Sequence, residues 1–514
     1  MTRKTRYLLG FLIIGMIAAA YFPALSIPLR GDDFEWLNSA YSGWREPASL
    51  LARINNFFRP VVKLSYLLDY SRAATRATWY NVATLAIHLL NVWLLCALLE
   101  RVSRWPVAAS VAFLFGVSSY YGEVTLWAAG RPDSLMLLFA LTGFLLLEQA
   151  QNGLSRWRHA ALVLLCAGAM GSKETWVLFP ALFALFLWLM KGVSPMNILK
   201  MLWPVFALLL AYVAVSLGLP MLAGTTAPTS YATATPLYGL LKFCAMLAMY
   251  AGGGAFYAKT FWQTAISLAG VIGVMFWLLR TKNRLGGFGM AWMLLTMLIA
   301  LPIQYAPSRY NYLPLIGFWM MIVAVADDAL RRLRAKYAFD ARAMRGVIGL
   351  ILVMYGAYHA MMLQAEIADY ARHGAFHQRL IEMYQPIKGR IPSEMPIIFI
   401  NKGEWKPLPQ LANSIQGYPK LFFVRGAALW QLVYFDALAN FLETPFTKRV
   451  VPVNPADAPQ TLERQCAVIL FDDTGFRFEP NDAPYRRELL ELRRLHGRLP
   501  DNVSLYQTQS FVQP

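Results

Sequence analysis

The sequence predicts a mostly α-helical, polytopic membrane protein, with about 11 transmembrane helices followed by a small C-terminal soluble α/β domain. Three observations carry this. Hydrophobic residues make up 57% of the chain and charged residues 15%, and the mean hydropathy is +0.42, more apolar surface than a water-soluble globule can bury. Apolar stretches near the ~20 residues that cross a bilayer recur along the first two thirds of the chain. The basic residues behind a net charge of +18 stand between those stretches, whereas a nucleic-acid binder gathers them on one solvated face. The implied partner is the lipid bilayer, and no nucleic acid is needed to explain the charge.

In chain order, Arg3, Lys4 and Arg6 precede an apolar run that passes Ala18-Ala19-Ala20 and continues to Ile27. This start is built like a secretory signal, but the run outlasts its small-residue site, so it reads as an uncleaved anchor over 7–27. Further spans are expected at 79–99, 106–122, 134–150, 159–172, 175–190, 198–219, 263–280, 286–304, 311–328 and 344–363. Arg101 and Arg104, Arg156 and Arg158, Arg280, Lys282 and Arg284, and Arg331, Arg332, Arg334 and Lys336 then flank the cytoplasmic face by the positive-inside rule. Beginning inside, an odd number of crossings puts the tail outside. The stretch 238–256 contains Lys242 and Gly252-Gly253-Gly254. It is expected to be re-entrant or interfacial, because a full crossing there would turn the later basic clusters outward.

The expected organisation is a transmembrane domain over 1–364 and an extracytoplasmic α/β domain over 365–514. In the latter, strands are expected at 397–400, 421–424 and 467–471, and helices at 370–383, 427–442 and 484–495. Asp472-Asp473 before Thr474-Gly475 reads as turn chemistry. Cys96, Cys166 and Cys244 fall in apolar segments and Cys466 in the tail, so no disulfide framework is legible. The outer loop 28–78 carries Leu50, Leu51, Ile54, Phe57 and Phe58 at helical spacing, which predicts a helix lying in the membrane surface over 48–58. Arg30, Arg45, Arg53, Arg59, Lys63, Arg72 and Arg76 make the same loop basic against the positive-inside trend, which suits a phosphate-bearing ligand or anionic headgroups.

Four polar constellations are expected at the outer ends of the spans: Gly31-Asp32-Asp33 with Phe58-Arg59-Pro60; Glu123, Trp127, Gly130, Arg131 and Asp133; Ser172-Lys173-Glu174; and Ser308-Arg309-Tyr310. Acids at the edge of hydrocarbon are costly to keep without a partner or a reaction that needs them. Together the groups supply two acids, Asp32 and Asp33, able to act as general base or as ligands for a divalent cation, and fixed cations able to hold a phosphate. Singly, each has a plainer reading: a snorkelling Lys173–Glu174 pair, an interfacial Arg309 and an Arg131–Asp133 loop bridge. Adjacent Asp32 and Asp33 would point in different directions on an extended segment, so they are not expected to share one job.

The segments Phe58-Arg-Pro-Val-Val-Lys-Leu-Ser-Tyr-Leu-Leu-Asp-Tyr70, Tyr80-Asn-Val-Ala-Thr-Leu-Ala-Ile-His-Leu-Leu-Asn91, Glu123…Trp127…Gly130-Arg131…Asp133, Ser172-Lys-Glu174 and Arg309-Tyr310…Tyr312-Leu-Pro314 resemble the GT-C superfamily of polyprenyl-phosphate-sugar glycosyltransferases. The branches most alike are the protein O-mannosyltransferases and the transmembrane mannosyltransferases that carry tetratricopeptide repeats. The likeness covers roughly 7–330. It departs where relatives carry His-Pro-x-His, since this chain has Ser118-Ser119-Tyr120-Tyr121, and the tail lacks tetratricopeptide repeats. The resemblance implies transfer of a sugar from a polyprenyl-phosphate carrier to a hydroxyl of a glycan, lipid or protein, inversion at the anomeric carbon, and a bacterial inner-membrane enzyme with a cytoplasmic N-terminus and a periplasmic tail. Asp32 is then the first candidate for the base, and Asp33 the second, or a ligand for the acceptor or a cation. Arg59, Arg131, Lys173, Arg309 and Tyr310 are candidate holders of the donor phosphate, and Glu123 and Glu174 candidate orienting groups. No cofactor beyond that divalent cation is implied. Two other functions remain open: a transporter or flippase for a lipid-linked sugar, and a polysaccharide polymerase or ligase that uses a lipid pyrophosphate donor.

Overall fold

The computed structural model describes residues 2–52, 57–150, 153–215, 235–252, 261–303, 308–337, 340–388, 397–401, 448–452, 458–472, 475–479, 482–496 and 503–510. They are mostly helical. In chain order the helices are α1 (Arg3–Tyr21), α2 (Asp33–Arg45), α3 (Pro60–Ala73), α4 (Ala77–Val102), α5 (Trp105–Gly116), α6 (Gly122–Thr125), α7 (Arg131–Glu148), α8 (Arg156–Met170), α9 (Phe179–Leu189), α10 (Pro195–Val213), α11 (Pro236–Gly252), α12 (Phe261–Thr281), α13 (Arg284–Leu298), α14 (Tyr312–Tyr337) and α15 (Ala341–Lys388).

Local chemistry starts and stops these helices. Thr2, Ser155 and Asn283 cap α1, α8 and α13 by accepting the Thr5, Arg158 and Gly286 amides. Proline stands in the first turn of α3, α5, α7, α9 and α10, where its missing N–H costs nothing. Among the described residues, six segments are long and apolar enough to cross a membrane, among them Arg3–Ser26, Ala77–Val102 and Ser308–Tyr337. A seventh is the pair Trp105–Gly116 and Ser119–Thr125, bent by 51°. Glu174–Leu189, Pro236–Tyr250, Ala265–Thr281 and Arg284–Leu298 are shorter apolar helices. The stretch expected to be re-entrant is one continuous helix over its described part, α11. Its Lys242 does not break it, because the ammonium donates to the carbonyls of Ala300 and Ile303 just beyond α13.

Two local expectations need correction. Over 48–58 the described residues form only a short 3-10 segment, Pro47–Leu51, and Phe57 and Phe58 are not helical; residues 53–56 lie outside the described residues. The Lys63 ammonium takes the carbonyls of Ser49 and Ala52, at 2.9 and 2.6 Å, which further helical turns would have used. The α-helices of this loop, among the described residues, are α2 and α3 instead. The segment at Asp32 and Asp33 is also not extended: Gly31 turns the chain with φ +51°, a conformation glycine adopts without strain, and Asp33 is already the first residue of α2.

The expected span 344–363 and the expected helix 370–383 form a single 48-residue rod, α15, so the residue 364/365 boundary falls inside a helix. Beyond it, β1 (Ile397–Asn401), β2 (Lys448–Pro452), α16 (Ala458–Leu462), β3 (Ala467–Asp472), β4 (Gly475–Glu479), α17 (Ala483–His496) and β5 (Val503–Ser510) build a five-stranded sheet in the order β2-β5-β1-β3-β4. β1 and β3 are parallel and the other pairings antiparallel. Asp472 pairs with Gly475 where β3 turns into β4. The expected strand 421–424 and helix 427–442 lie outside the described residues. All four cysteines are free thiols.

The main core lies among α4, α5, α7, α9, α13 and α14, with Trp176, Trp292, Tyr121 and Tyr312 fully buried. His88 bridges it by pairing with the Tyr312 hydroxyl at 3.0 Å and the Gly116 carbonyl at 3.1 Å. The rod α15 packs on the segment that leads to Asp32. Gly374 lies so close to Pro28 that an added Cβ would sit 2.7 Å from the Pro28 carbonyl oxygen.

A polar cavity at one end of the helical bundle

Ion pairs divide the bundle into two ends. At one end Arg6 meets Glu100, Arg101 and Lys191 meet Glu148, and Arg104 meets Asp327. These join the start of α1, the ends of α4, α7 and α9, the start of α5 and the C-terminal half of α14. The candidate residues gather at the opposite end, where α4, α7, α9 and α14 begin.

The chain reaches that end along a fixed track. Asn81 donates to the carbonyls of Leu25, at 3.3 Å, and Ile27, at 2.8 Å, and the Arg30 guanidinium lies over the Tyr370 ring at 3.4 Å and the Trp127 ring at 5.1 Å. Asp33 then closes the turn. Its carboxylate accepts from the backbone N–H of Arg30 at 3.0 Å, the backbone N–H of Ala129 at 2.8 Å and the Tyr66 hydroxyl at 3.2 Å. It is 2% exposed, and burial pushes its pKa up to about 6 although the two N–H donors favour the charged form.

Asp32 faces the other way and lines a cavity of about 250 Å³ together with Arg59, Asp133, Lys173, Arg309 and Tyr310. Burial raises its pKa, and the positive charge of Arg309 opposes the rise. Arg59, just before α3, forms a forked pair with Glu174, Nε to Oε1 at 2.9 Å and Nη2 to Oε2 at 2.7 Å. The amide of Val61, which donates to the Gly171 carbonyl at 3.0 Å, brings the start of α3 to the end of α8. Lys173 pairs with Asp133 in the first turn of α7, with side chains 6% and 5% exposed, and its ammonium lies 5.4 Å from the Tyr310 ring centre. Burial lowers the Lys173 pKa, and Asp133 counters part of that. Arg309 pairs with Glu123 at 3.6 Å and donates its backbone N–H to the same carboxylate oxygen at 3.3 Å.

Of the residues singled out in the sequence, Asp32, Arg59, Asp133, Lys173, Glu174, Arg309 and Tyr310 share the cavity wall. Asp33, Glu123 and Arg131 stand behind it. Arg131 is fully buried and ties α7 to α3 and α4: it pairs with Asp69 at 2.7 Å and donates to Ser65 at 3.2 Å, to Thr84 at 3.3 Å and to the Tyr80 carbonyl at 2.9 Å. Ser119, in the departure from His-Pro-x-His, meets His359 of α15 through its amide and hydroxyl at 3.1 and 3.0 Å.

Sequence reasoning missed Glu35, Trp36 and Thr175 on the cavity wall. Glu35 and Trp36 follow Asp32 by three and four residues, the spacing that shares one helix face, so an expected α2 would have found them. Among the described residues no three His, Cys, Asp or Glu side chains gather as ligands for a metal ion. The wall brings three cations, Arg59, Lys173 and Arg309, each paired with a carboxylate, to the same cavity as Asp32 and Glu35.

No family model matches the chain, and no curated protein matches it either. Among solved structures, the chain is similar to the Archaeoglobus fulgidus oligosaccharyltransferase tethered with an acceptor peptide containing the NVT sequon, with TM-score 0.45 and 9% identity over 92% of this chain and 74% of that one. It is similar to ArnT from Cupriavidus metallidurans bound to undecaprenyl phosphate, with TM-score 0.44 and 12% identity over 91% and 96% of the two chains. It is also similar to the archaeal oligosaccharyltransferase AglB from Archaeoglobus fulgidus in complex with an inhibitory peptide and a dolichol-phosphate, with TM-score 0.44 and 11% identity over 92% and 74%.

Proposed function

We propose that this chain is a GT-C-like membrane glycosyltransferase that moves a sugar from a polyprenyl-phosphate carrier to an acceptor hydroxyl at the outer face of the membrane. One observation carries the reading: a single cavity of about 250 Å³ holds the Asp32 carboxylate on the same wall as Arg59, Lys173 and Arg309. Its volume is just below the roughly 300–1,000 Å³ of drug-sized ligand sites, which suits one sugar phosphate rather than a long glycan.

In this mechanism Asp32 takes the proton of the acceptor hydroxyl, a poor nucleophile at neutral pH. The acceptor oxygen bonds to the anomeric carbon from the side opposite the phosphate, inverting it, as the bond from that carbon to the phosphate oxygen breaks. The departing oxygen keeps the electron pair, and Arg59, Lys173, Arg309 and the Tyr310 hydroxyl stabilise the charge that develops there. Asp33 acts through position, because its carboxylate is occupied by the Arg30 and Ala129 amides. Glu123 orients Arg309, and Arg131 holds α3, α4 and α7 together. The described residues offer no ligand set for a divalent cation, and no step uses one. The membrane is the bacterial inner membrane, with the N-terminus in the cytoplasm and the sheet-bearing tail in the periplasm.

Replacement of Asp32 by Asn in the purified full-length protein should lower release of polyprenyl phosphate from a polyprenyl-phosphate-linked sugar by about 10²–10⁴-fold, the usual worth of a positioned base. Activity should also fall as pH drops through a value above the ~3.9 of a free aspartate, since burial raises this carboxyl. Undiminished transfer by the Asn variant removes the assignment. Sugar crossing vesicles without release of lipid phosphate would make the protein a transporter.

A further inference from the structure

The cations assigned to the donor phosphate already hold carboxylates, and we infer that Glu174 is a placeholder which the donor phosphate displaces from Arg59 and which then returns to expel the lipid phosphate product. The inference rests on the glycosyltransferase reading. Glu174 fills both arms of the Arg59 fork, at 2.9 and 2.7 Å, the same planar geometry with which arginine grips a phosphate. Each of the three cations has a carboxylate partner, Glu174 on Arg59, Asp133 on Lys173 and Glu123 on Arg309, and these partners differ in how easily they can leave. The side chains of Asp133 and Glu123 are 5% and 10% exposed, while that of Glu174 is 35% exposed. Glu174, already partly exposed, can leave Arg59 and stay solvated, whereas Asp133 would have to abandon Lys173 inside the wall.

The reaction's own charges give the exchange a purpose. The donor is a phosphodiester with one negative charge. After transfer, the acceptor proton is on Asp32, the sugar is bonded to the acceptor oxygen, and the carrier leaves as a phosphate monoester of about −1.5 to −2 at neutral pH. The same cations therefore hold the product more strongly than the substrate, and a site of cations alone would retain it. A carboxylate tethered beside Arg59 competes with the monoester at high local concentration and shortens its stay. Glu174 also adjoins Lys173, so its departure and return change the charge beside two of the phosphate-holding cations.

The test titrates a short-chain polyprenyl phosphate into the full-length protein in detergent, with turnover followed in parallel. Glu174→Gln should bind this product about tenfold more tightly than the wild type, form a first equivalent of enzyme-bound product in a burst and then turn over more slowly, because release limits each later cycle. Glu174→Asp, which keeps the charge, should restore release. Equal or weaker binding by a folded Glu174→Gln protein overturns the placeholder role. If that variant does not fold, Glu174→Asp decides: wild-type product affinity and turnover support the role, and tight binding with slow turnover overturns it. Failure of the wild type itself to bind polyprenyl phosphate would sink the phosphate site, and with it the glycosyltransferase reading.

Discussion

The two ends of the helical bundle use the same residue types in opposite ways. At the end formed by Arg6, Glu100, Arg104 and Asp327 the pairs are partly solvated: the Arg104 and Asp327 side chains are 55% and 22% exposed, and those of Arg6 and Glu100 43% and 36%. At the cavity end Lys173 and Asp133 are 6% and 5% exposed, and Arg131 and Asp69 1% and 11%. Solvated pairs cost little and stabilise little. Buried pairs carry a desolvation penalty that their attraction barely offsets, and well-packed apolar residues often serve stability equally well. A chain that concentrates its buried charge at one end therefore gives up nothing in stability by having solvated charge at the other, and the buried end is where a function for charge has to be sought.

The largest expected effect is at Arg131. Replacing it with Ala leaves Asp69 buried without its partner and removes the donors to Ser65, Thr84 and the Tyr80 carbonyl, at an expected cost of about 3–5 kcal/mol. Thermal unfolding in detergent measures it. Replacing Arg131 and Asp69 together by Met and Leu should recover most of the loss, since no charge is then stranded. A double variant as unstable as the single one would mean that the pair does more than neutralise itself.

Next comes Asp33, whose effect depends on pH. A free aspartate titrates near 3.9, and burial raises this carboxyl to about 6 in the folded protein. Between those values the folded state binds the proton that the unfolded chain has lost, so stability falls as pH rises. The stabilising contribution is complete below about pH 4 and lost by about pH 6, and a shift of roughly two units corresponds to about 3 kcal/mol. Unfolding followed from pH 4 to 7 should show that decline in the wild type and a flatter line in Asp33→Asn. An unchanged slope would mean that the carboxylate is better solvated than its 2% exposure implies.

The same division explains what could be read from the sequence. Long apolar runs are local, and each of the twelve apolar stretches picked out in it, 238–256 among them, contains a helix. The constellation residues were legible as types at span ends, because acids and bases at the edge of hydrocarbon stand out against it. Their division of labour was not. Arg131 and Arg59 both look like outer cations, and only packing separates the one buried among α3, α4 and α7 from the one on the cavity wall. Asp32 and Asp33 part company because Gly31 turns the chain and starts a helix, which makes Glu35 and Trp36 neighbours of the cavity. That helix was hidden by the low overall apolarity of 33–45, although Phe34, Leu37 and Ala40 recur there at helical spacing and are buried, and by a stronger-looking pattern at 48–58, whose carbonyls Lys63 takes instead. The continuity of α15 through residue 364 was equally hidden, since a fall in hydropathy marks the end of a membrane span and not the end of a helix.

The smallest effect is expected at the opposite end, and it tests the comparison from its weak side. Asp327 meets both Arg104 and Arg331, the latter at 3.2 Å and 54% exposed. With all three side chains in partial contact with solvent, replacing Arg104 by Ala should shift stability by only about 0.2–1 kcal/mol. The proposed sugar transfer should be unchanged, because none of these groups lies at the end where Asp32 and Lys173 line the cavity. Added salt should shrink even that small difference by screening exposed charge, while leaving the Arg131 effect largely intact. If Arg104→Ala instead destabilises the protein as much as Arg131→Ala does, the two ends do not differ in how their charges are solvated, and burial at the cavity end loses its meaning as a mark of function.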